Sequence, residues 1–141
     1  MPLILNIETA TEFCSVALAR DGKLLSLRES QSGYSHAENI TVFISEVIRE
    51  AGVSLNDLDA IAVSKGPGSY TGLRIGVSTA KGLCFALDKP LLAVYTLQAL
   101  TVGFFNSKFE IRNSKLFFCP MLDARRMEVY CAVYDSELNE V

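Results

Sequence analysis

The stretch SKGPGSYTGLRIGVSTAKGLCFAL, from Ser64 to Leu87, decides the fold of this chain because it joins a glycine-rich loop to a helical pattern. Gly66 and Gly68 permit positive φ angles and a close approach of another group to the backbone. The predicted helix, Gly72–Leu87, offers free N–H groups and a positive dipole end at its start. Two interpretations are open: a loop that contacts a phosphate or nucleotide, or a cap for a closely packed helix.

The side chains of this loop do not form a catalytic motif. The lysine and hydroxyl pair of GxxxxGK[ST] are absent, so the loop is not a Walker A motif. Ser69 lacks the GxSxG context of a hydrolase nucleophile, and His36, the single histidine, has no nucleophile and orienting group at a recognisable spacing. One histidine and four cysteines without CxxC spacing indicate no metal cluster. We therefore predict no catalytic residue and no metal site.

Small residues recur at every fourth position of the predicted helix, at Gly72, Gly76, Ala80 and Cys84. Residues four apart lie on one face of a helix, so these form a stripe on which another backbone can approach closely. One interpretation is packing of the helix on its own sheet. The other, adopted as the prediction, is a docking face for a partner protein.

Outward from this helix, short apolar runs alternate with helical patterns. The chain opens with an antiparallel meander that turns at Asp21-Gly22, and helices and strands then alternate. The predicted strands are Leu3–Ile7, Ser15–Arg20, Lys23–Arg28, Ala60–Val63 and Leu91–Tyr95, and the other predicted helices run from Ser35 or His36 to Ala51 and from Thr96 to Phe105. This β-β-β-α-β-α-β-α order predicts an α/β fold with a mixed sheet, that of a ribonuclease-H-like half-domain.

The pattern restarts near the C-terminus. Residues 106–115 are polar and charged, and we predict that they link a first half-domain, residues 1–105, to the start of a second, residues 116–141. The second part contains two predicted strands, Leu116–Leu122 and Met127–Tyr134. Because two strands are marginally stable alone, we predict that the chain is an N-terminal fragment with an incomplete second repeat.

Glu8 and Asp123 occupy equivalent positions in the two repeats, each just past a predicted buried strand. Paired carboxylates that face each other across a cleft often hold a metal–nucleotide or a water. The alternative, which is preferred for this chain, is that each carboxylate caps a turn.

The composition excludes several classes of protein. The chain has 141 residues and a net charge of −3, with no basic stripe, so it is not expected to bind a nucleic-acid backbone strongly by itself. The N-terminal residues lack the basic and long apolar regions of a signal peptide, and no apolar run reaches the ~18 residues of a membrane span. The four cysteines lie in apolar runs, and we predict a reducing, cytoplasmic location.

Three segments in order resemble the TsaB family, also called YeaZ: NIETATEFCSVAL at Asn6–Leu18, SKGPGSYTGLRIGVSTAKGL at Ser64–Leu83 and MLDARRMEVYCAVY at Met121–Tyr134. The resemblance implies a fold of the actin, Hsp70 and sugar-kinase (ASKHA) type and a role in forming threonylcarbamoyladenosine at position 37 of tRNA. In that family the catalytic subunit is a paralogue, TsaD, whose metal-binding histidines form an HxxxH pattern. Since this chain has one histidine, the resemblance implies a non-catalytic partner or scaffold subunit.

The resemblance also implies partners: a TsaD-like catalytic paralogue, a TsaE-like ATPase, tRNA only through the complex, and a second copy of the chain when TsaD is absent. No membrane partner is implied. The helices over residues 36–51 and 72–87 would pack on TsaD. The predicted interface residues are Ile40, Phe43, Gly72, Gly76, Ala80 and Cys84.

The phosphate-loop motifs of the family also match the chain, and weak or vestigial contact with ATP or ADP is expected there. The matching residues are Glu8, Thr9, Thr11, Gly66, Gly68, Ser69 and Thr71. No cofactor is firmly implied. The alternatives are an ATP-dependent phosphotransferase of the same fold and a glycoprotease-type peptidase. The missing lysine and acid–base set count against the first, and the missing nucleophile, base and metal ligands count against the second.

Overall fold

A computed structural model describes residues 1–31, 36–106 and 115–141 of the chain. These residues form strands and helices in the order that the sequence predicts, with one short 3₁₀-helix at Leu55–Asp57. The elements are β1 (Leu3–Glu8), β2 (Cys14–Arg20), β3 (Lys23–Ser30), α1 (His36–Glu50), β4 (Ala60–Ser64), α2 (Tyr70–Leu87), β5 (Leu91–Val94), α3 (Thr96–Asn106), β6 (Met121–Arg125) and β7 (Glu128–Cys131).

A five-stranded mixed sheet organises the first part of the chain, with the strand order β3-β2-β1-β4-β5. β1 pairs antiparallel with β2 and parallel with β4, so it is the central strand at which the sheet changes direction. β2 joins β3 through a two-residue turn in which Asp21 has a φ of 50° and Gly22 a φ of 74°, the left-handed pair that a tight hairpin requires. The predicted α/β class and element order are confirmed.

The core lies on one face of this sheet, under α1 and α2. Alternate residues of β1 and β2 point to that face because side chains alternate along a strand. α1 covers them with an apolar stripe at helical spacing. The buried apolar set is Leu3, Leu5, Ile7, Cys14, Val16, Leu18, Ile40, Ile44, Val47, Leu58, Ile61, Val63 and Ala80.

The helix α2 begins at Tyr70, two residues before the predicted start, because Ser69 is its N-cap. The Ser69 hydroxyl accepts a hydrogen bond from the Gly72 N–H at 3.3 Å. At the other end, Asp88 adopts a left-handed φ of 53° and donates its N–H to the Cys84 carbonyl. The predicted end of this helix at Leu87 is therefore confirmed.

The C-terminal strands differ from the prediction. The predicted strand Leu116–Leu122 is wrong: the strand is Met121–Arg125, and Phe118 makes only an isolated bridge to Tyr134. Arg125, Arg126 and Met127 all have positive φ, so the chain reverses directly after β6. As a result Asp123 lies inside an exposed strand instead of just past a buried one.

The β6–β7 hairpin contacts the first part of the chain through aromatic rings. The Phe118 ring lies 4.5 Å from that of Phe105 and 5.9 Å from that of Phe104, centroid to centroid. Tyr134 is 4% exposed. Most of the predicted linker, 106–115, lies outside the described residues. None of the described helices is long and apolar enough to cross a bilayer.

Candidate functional site

A cleft of about 830 Å³ lies between the turn after β1, the start of α2 and the β6–β7 hairpin. Among the predicted nucleotide contacts, Thr11, Gly68, Ser69 and Thr71 line this cleft, and Asp123 lines it from the opposite wall. Glu8, Thr9 and Gly66 lie outside its lining. The full lining is Ala10, Thr11, Glu12, Phe13, His36, Gly68, Ser69, Tyr70, Thr71, Gly72, Ile75, Leu122, Asp123, Ala124, Arg125 and Tyr130. Nucleotide binding there stays a prediction.

The carboxylate of Glu8 closes the turn after β1. One oxygen, Oε1, accepts the N–H of Ala10 at 2.7 Å. The other, Oε2, accepts a short hydrogen bond from the hydroxyl of Ser64 at the end of the neighbouring strand β4. Both oxygens therefore have protein donors, which favours the turn-capping interpretation over a role in holding a metal–nucleotide.

Removal of this carboxylate is expected to destabilise the fold. In Glu8→Ala, the hydroxyl of Ser64, which is 6% exposed, loses its acceptor and the Ala10 N–H loses its own. An unpaired buried polar group costs about 1–3 kcal/mol, and we expect a loss of that size in the free energy of unfolding in urea. Glu12→Ala, an exposed carboxylate of the same turn, is the control and is expected to change stability by less than about 0.5 kcal/mol. Equal stabilities of the two variants would contradict the role given to Glu8.

The turn after β1 is also hydrogen-bonded to the first turn of α2. Thr9 is 1% exposed and its hydroxyl donates to the Gly72 carbonyl at 2.7 Å. The Ser69 N–H donates to the Ala10 carbonyl at 2.7 Å, and the Leu73 N–H donates to the Ser69 carbonyl at 2.8 Å. Several N–H groups that an anion would need at the helix start thus already have partners within the chain. This pairing supports the capping interpretation of the loop.

The stripe of small residues faces this turn and the sheet. Gly72, Gly76 and Ala80 are the buried residues of α2. A Cβ at Gly72 would overlap the carbonyl oxygen of Thr9, and a Cβ at Gly76 would overlap its hydroxyl oxygen. The prediction that these three residues form a docking face is therefore wrong, because their small size serves close packing inside the chain.

The other predicted interface residues divide by exposure. Ile40 is 1% exposed and belongs to the core, so it is also not available for docking in this fold. Phe43 and Cys84 are partly buried and pack against the same core. Burial raises the pKa of the Cys84 thiol, and it raises that of Cys14 as well, so neither thiol is activated as a nucleophile.

The outward face of α2 carries side chains that sequence reasoning did not select. Phe85 is 92% exposed and Tyr70 is 76% exposed. On the neighbouring helix α1, Val42 is 52% exposed. Phe85 lies nine residues from Gly76, half a turn out of phase, so helical spacing places it opposite the glycine stripe. Tyr70 lies at the start of α2, where it also lines the cleft, so we refer to Val42 and Phe85 alone as the outer helical face.

The single histidine has a structural contact at the edge of the cleft. His36 is 7% exposed, and its Nε2 lies 2.8 Å from the Thr11 carbonyl oxygen, to which it donates. This bond joins the start of α1 to the turn after β1. No group of three or more His, Cys, Asp and Glu side chains suited to a metal ion occurs within residues 1–31, 36–106 and 115–141.

The meander, the parallel crossovers and the fastened glycine-rich loop define a ribonuclease-H-like domain of the ASKHA class. The family model described as TsaD: tRNA N6-adenosine threonylcarbamoyltransferase matches residues 30–141. The chain belongs to that family.

The relatives and solved structures agree with this assignment. The chain is 36% identical over 138 residues to the tRNA threonylcarbamoyladenosine biosynthesis protein TsaB of Escherichia coli, a match over 98% of the chain and 57% of that protein. It is 40% identical over 109 residues to the tRNA N6-adenosine threonylcarbamoyltransferase of Staphylococcus haemolyticus, over 66% of the chain and 32% of that protein. The structure of YeaZ from Pseudomonas aeruginosa superposes with a TM-score of 0.86 at 33% identity, covering all of this chain and 64% of that one.

The chain spans about half the length of the curated TsaB relatives that it matches, between 51% and 57%. The resemblance to the TsaB family is therefore confirmed over nearly the whole chain, and it extends over only part of those relatives.

Proposed function

We propose that this chain acts as a non-catalytic partner subunit in forming threonylcarbamoyladenosine at position 37 of tRNA, where it supports a TsaD-like catalytic subunit. The names of its relatives support a place in this modification. The proposal extends to a cytoplasmic location, to a TsaE-like ATPase as the further partner, and to tRNA contact only through the complex. It also includes a homodimer of the chain in the absence of the catalytic subunit.

The cleft supports a non-catalytic role. Two of its polar groups are paired within the chain: the Ser69 hydroxyl caps α2, and the His36 ring donates to the Thr11 carbonyl. Nucleophilic catalysis needs a nucleophile next to a base that a third group orients. The described side chains of the cleft contain no such arrangement, and contact with ATP or ADP is proposed to be weak.

The observation that carries the proposal is the outer helical face. An aromatic ring such as that of Phe85, 92% exposed on a rigid helix, is the kind of side chain that anchors protein–protein interfaces. Arg74 and Lys81, both exposed on α2, provide a polar rim. We propose that this face, and not the glycine stripe, packs on the catalytic subunit.

Substitution of Phe85 tests this surface. In Phe85→Ala, binding to the TsaD protein of the same organism is expected to weaken roughly 30-fold, the effect of losing about 2 kcal/mol at an interface hot spot. Titration calorimetry measures the affinity, and circular dichroism checks the fold. Because Phe85 packs on almost nothing within the chain, the fold itself should be unchanged.

The matched control is Phe117→Ala, which removes another exposed phenylalanine, 63% exposed and not part of α1 or α2. Its affinity for TsaD should equal that of the unchanged chain. Equal affinities for the Phe85 and Phe117 variants would remove the support for docking through the outer helical face.

The non-catalytic role has a separate test. The purified chain is mixed with ATP, threonine, bicarbonate and unmodified tRNA, with and without TsaD and TsaE, and the modified nucleoside is measured by mass spectrometry. Product is expected only when TsaD is present. Product formed by the chain alone would show that it is itself an enzyme.

A further inference from the structure

The turn after β1 makes hydrogen bonds to both helices that carry the outer helical face. His36 is the first residue of α1, and its Nε2 donates to the Thr11 carbonyl of the turn at 2.8 Å. Thr9 of the same turn donates through its hydroxyl to the Gly72 carbonyl, in the first turn of α2, at 2.7 Å. The turn is therefore an element to which the starts of α1 and α2 are both attached.

These bonds matter because the two helices pack on each other only slightly. β1 and β3 are both antiparallel to β2, and β4 is parallel to β1, so α1 and α2 begin at the same edge of the sheet. From that edge α1 packs mainly on β2 and β3, and α2 packs mainly on β4. The sheet and the turn after β1 therefore set the distance between the starts of the two helices.

The attachment of α1 to this part of the chain is buried. His36 is 7% exposed, and its own carbonyl oxygen lies 4.0 Å from the Sγ of Cys14, which is 0% exposed. The side chain and the backbone of His36 thus both contact the segment between Thr11 and the start of β2. These contacts join residues within the first 36 positions, so they do not depend on which surfaces of the chain are covered.

We propose that His36 is a positioning residue for docking: its bond to the turn fixes Val42 of α1 relative to Phe85 of α2. The inference rests on the proposed function, since it concerns the outer helical face. Val42 lies fewer than two helical turns from His36. The anchor side chains of an interface bind well-packed pockets on the partner, so two anchors on separate helices must keep their spacing. His36 itself needs no contact with the partner.

Two amide variants that differ by one methylene test the proposal. In His36→Gln the side-chain N–H reaches about as far as the imidazole Nε2, so it can still donate to the Thr11 carbonyl, whereas in His36→Asn it falls short. Titration calorimetry measures the affinity for the TsaD protein of the same organism. We expect the affinity of His36→Gln to stay within about 2-fold of that of the unchanged chain. We expect that of His36→Asn to fall by about 3- to 30-fold, the range for residues that act without touching the partner.

The same substitution in a Val42→Ala background shows whether the effect passes through α1. Positions that act through one another are not additive. His36→Asn should therefore weaken binding to TsaD less in the Val42→Ala variant than it does in the unchanged chain. Full additivity of the two substitutions would contradict the role given to His36.

Ser26→Ala is the matched control for stability. The Ser26 hydroxyl is 5% exposed and donates to the Val47 carbonyl at 2.8 Å, so this variant also loses a buried bond that holds α1. That bond runs to β3 and not to the turn, and the affinity for TsaD should equal that of the unchanged chain. The proposal is overturned if the two His36 variants bind TsaD equally, or if Ser26→Ala weakens binding as much as His36→Asn.

Nuclear magnetic resonance detects the bond itself without TsaD. Because His36 is the single histidine of the chain, its ring N–H signal needs no assignment among several residues. We expect a slowly exchanging proton on Nε2, and its absence would also overturn the proposal.

The Phe85→Ala variant separates this inference from the proposed function. If Phe85→Ala binds TsaD as tightly as the unchanged chain, the proposed docking surface fails, and the role of His36 fails with it. If Phe85→Ala binds more weakly while the two His36 variants bind alike, only the role of His36 fails.

Discussion

Gly72→Ala is expected to destabilise the folded chain by about 2–4 kcal/mol, the sum of overpacking a rigid contact and losing a buried hydrogen bond. The added methyl group would overlap the Thr9 carbonyl oxygen, which belongs to the backbone of the turn after β1. The start of α2 must then move away from the turn, and the bond from the Thr9 hydroxyl to the Gly72 carbonyl is lost. Urea unfolding followed by circular dichroism measures the change.

The same substitution at Gly82 is the matched control on the same helix. A Cβ at Gly82 meets nothing within 4 Å, and the position is exposed. Alanine is the better helix former, so Gly82→Ala is expected to stabilise the chain by about 0.5–1 kcal/mol. Equal stability of the Gly72→Ala and Gly82→Ala variants would contradict the close packing of α2 on the turn after β1.

Leu5→Ala is expected to lower the free energy of unfolding by about 2–5 kcal/mol, the usual cost of truncating a core leucine. Leu5 is 0% exposed in the central strand β1, between partners on both sides. The neighbouring β-structure cannot collapse into the cavity without breaking its register, so the cost should lie in the upper half of this range.

Leu24→Ala removes the same side chain from the edge strand β3, where Leu24 is 59% exposed. The expected change is within about 0.5 kcal/mol, as for most surface positions. A loss at Leu24 equal to that at Leu5 would contradict the placement of the core between the sheet and the helices α1 and α2.

The first part of the fold could be predicted from the sequence because the local sequence patterns there agree with one another. The apolar run at Leu3–Ile7, the Asp21-Gly22 turn and the helical stripe after His36 each specify an element, and the structure has all of them. The C-terminal strand was misplaced because the apolar run at 116–122 and the real strand, Met121–Arg125, overlap. The turn that fixes the register uses left-handed arginine and methionine residues, which sequence does not mark as turn formers.

The candidate site could be predicted only in part from the sequence, for a different reason. Periodicity shows that Gly72, Gly76 and Ala80 share a face of α2, but it does not show which face meets the sheet. The contacts of Thr9 with Gly72 decide that question, and they join positions far apart in the chain. The same contacts direct the face of Phe85 outward, so the residue proposed for docking could be chosen only after the packing was known.

Because the turn after β1 packs closely on α2, the amino acids that are tolerated at positions 9, 72 and 76 depend on one another. A larger residue at position 76 collides with the side chain of Thr9, so a shorter residue at position 9 would make room for it. A larger residue at position 72 collides with backbone, and no choice at position 9 relieves that collision. A larger residue at position 76 therefore requires a change at position 9 that removes the Thr9–Gly72 hydrogen bond, whereas position 72 is held to glycine by the path of the chain itself.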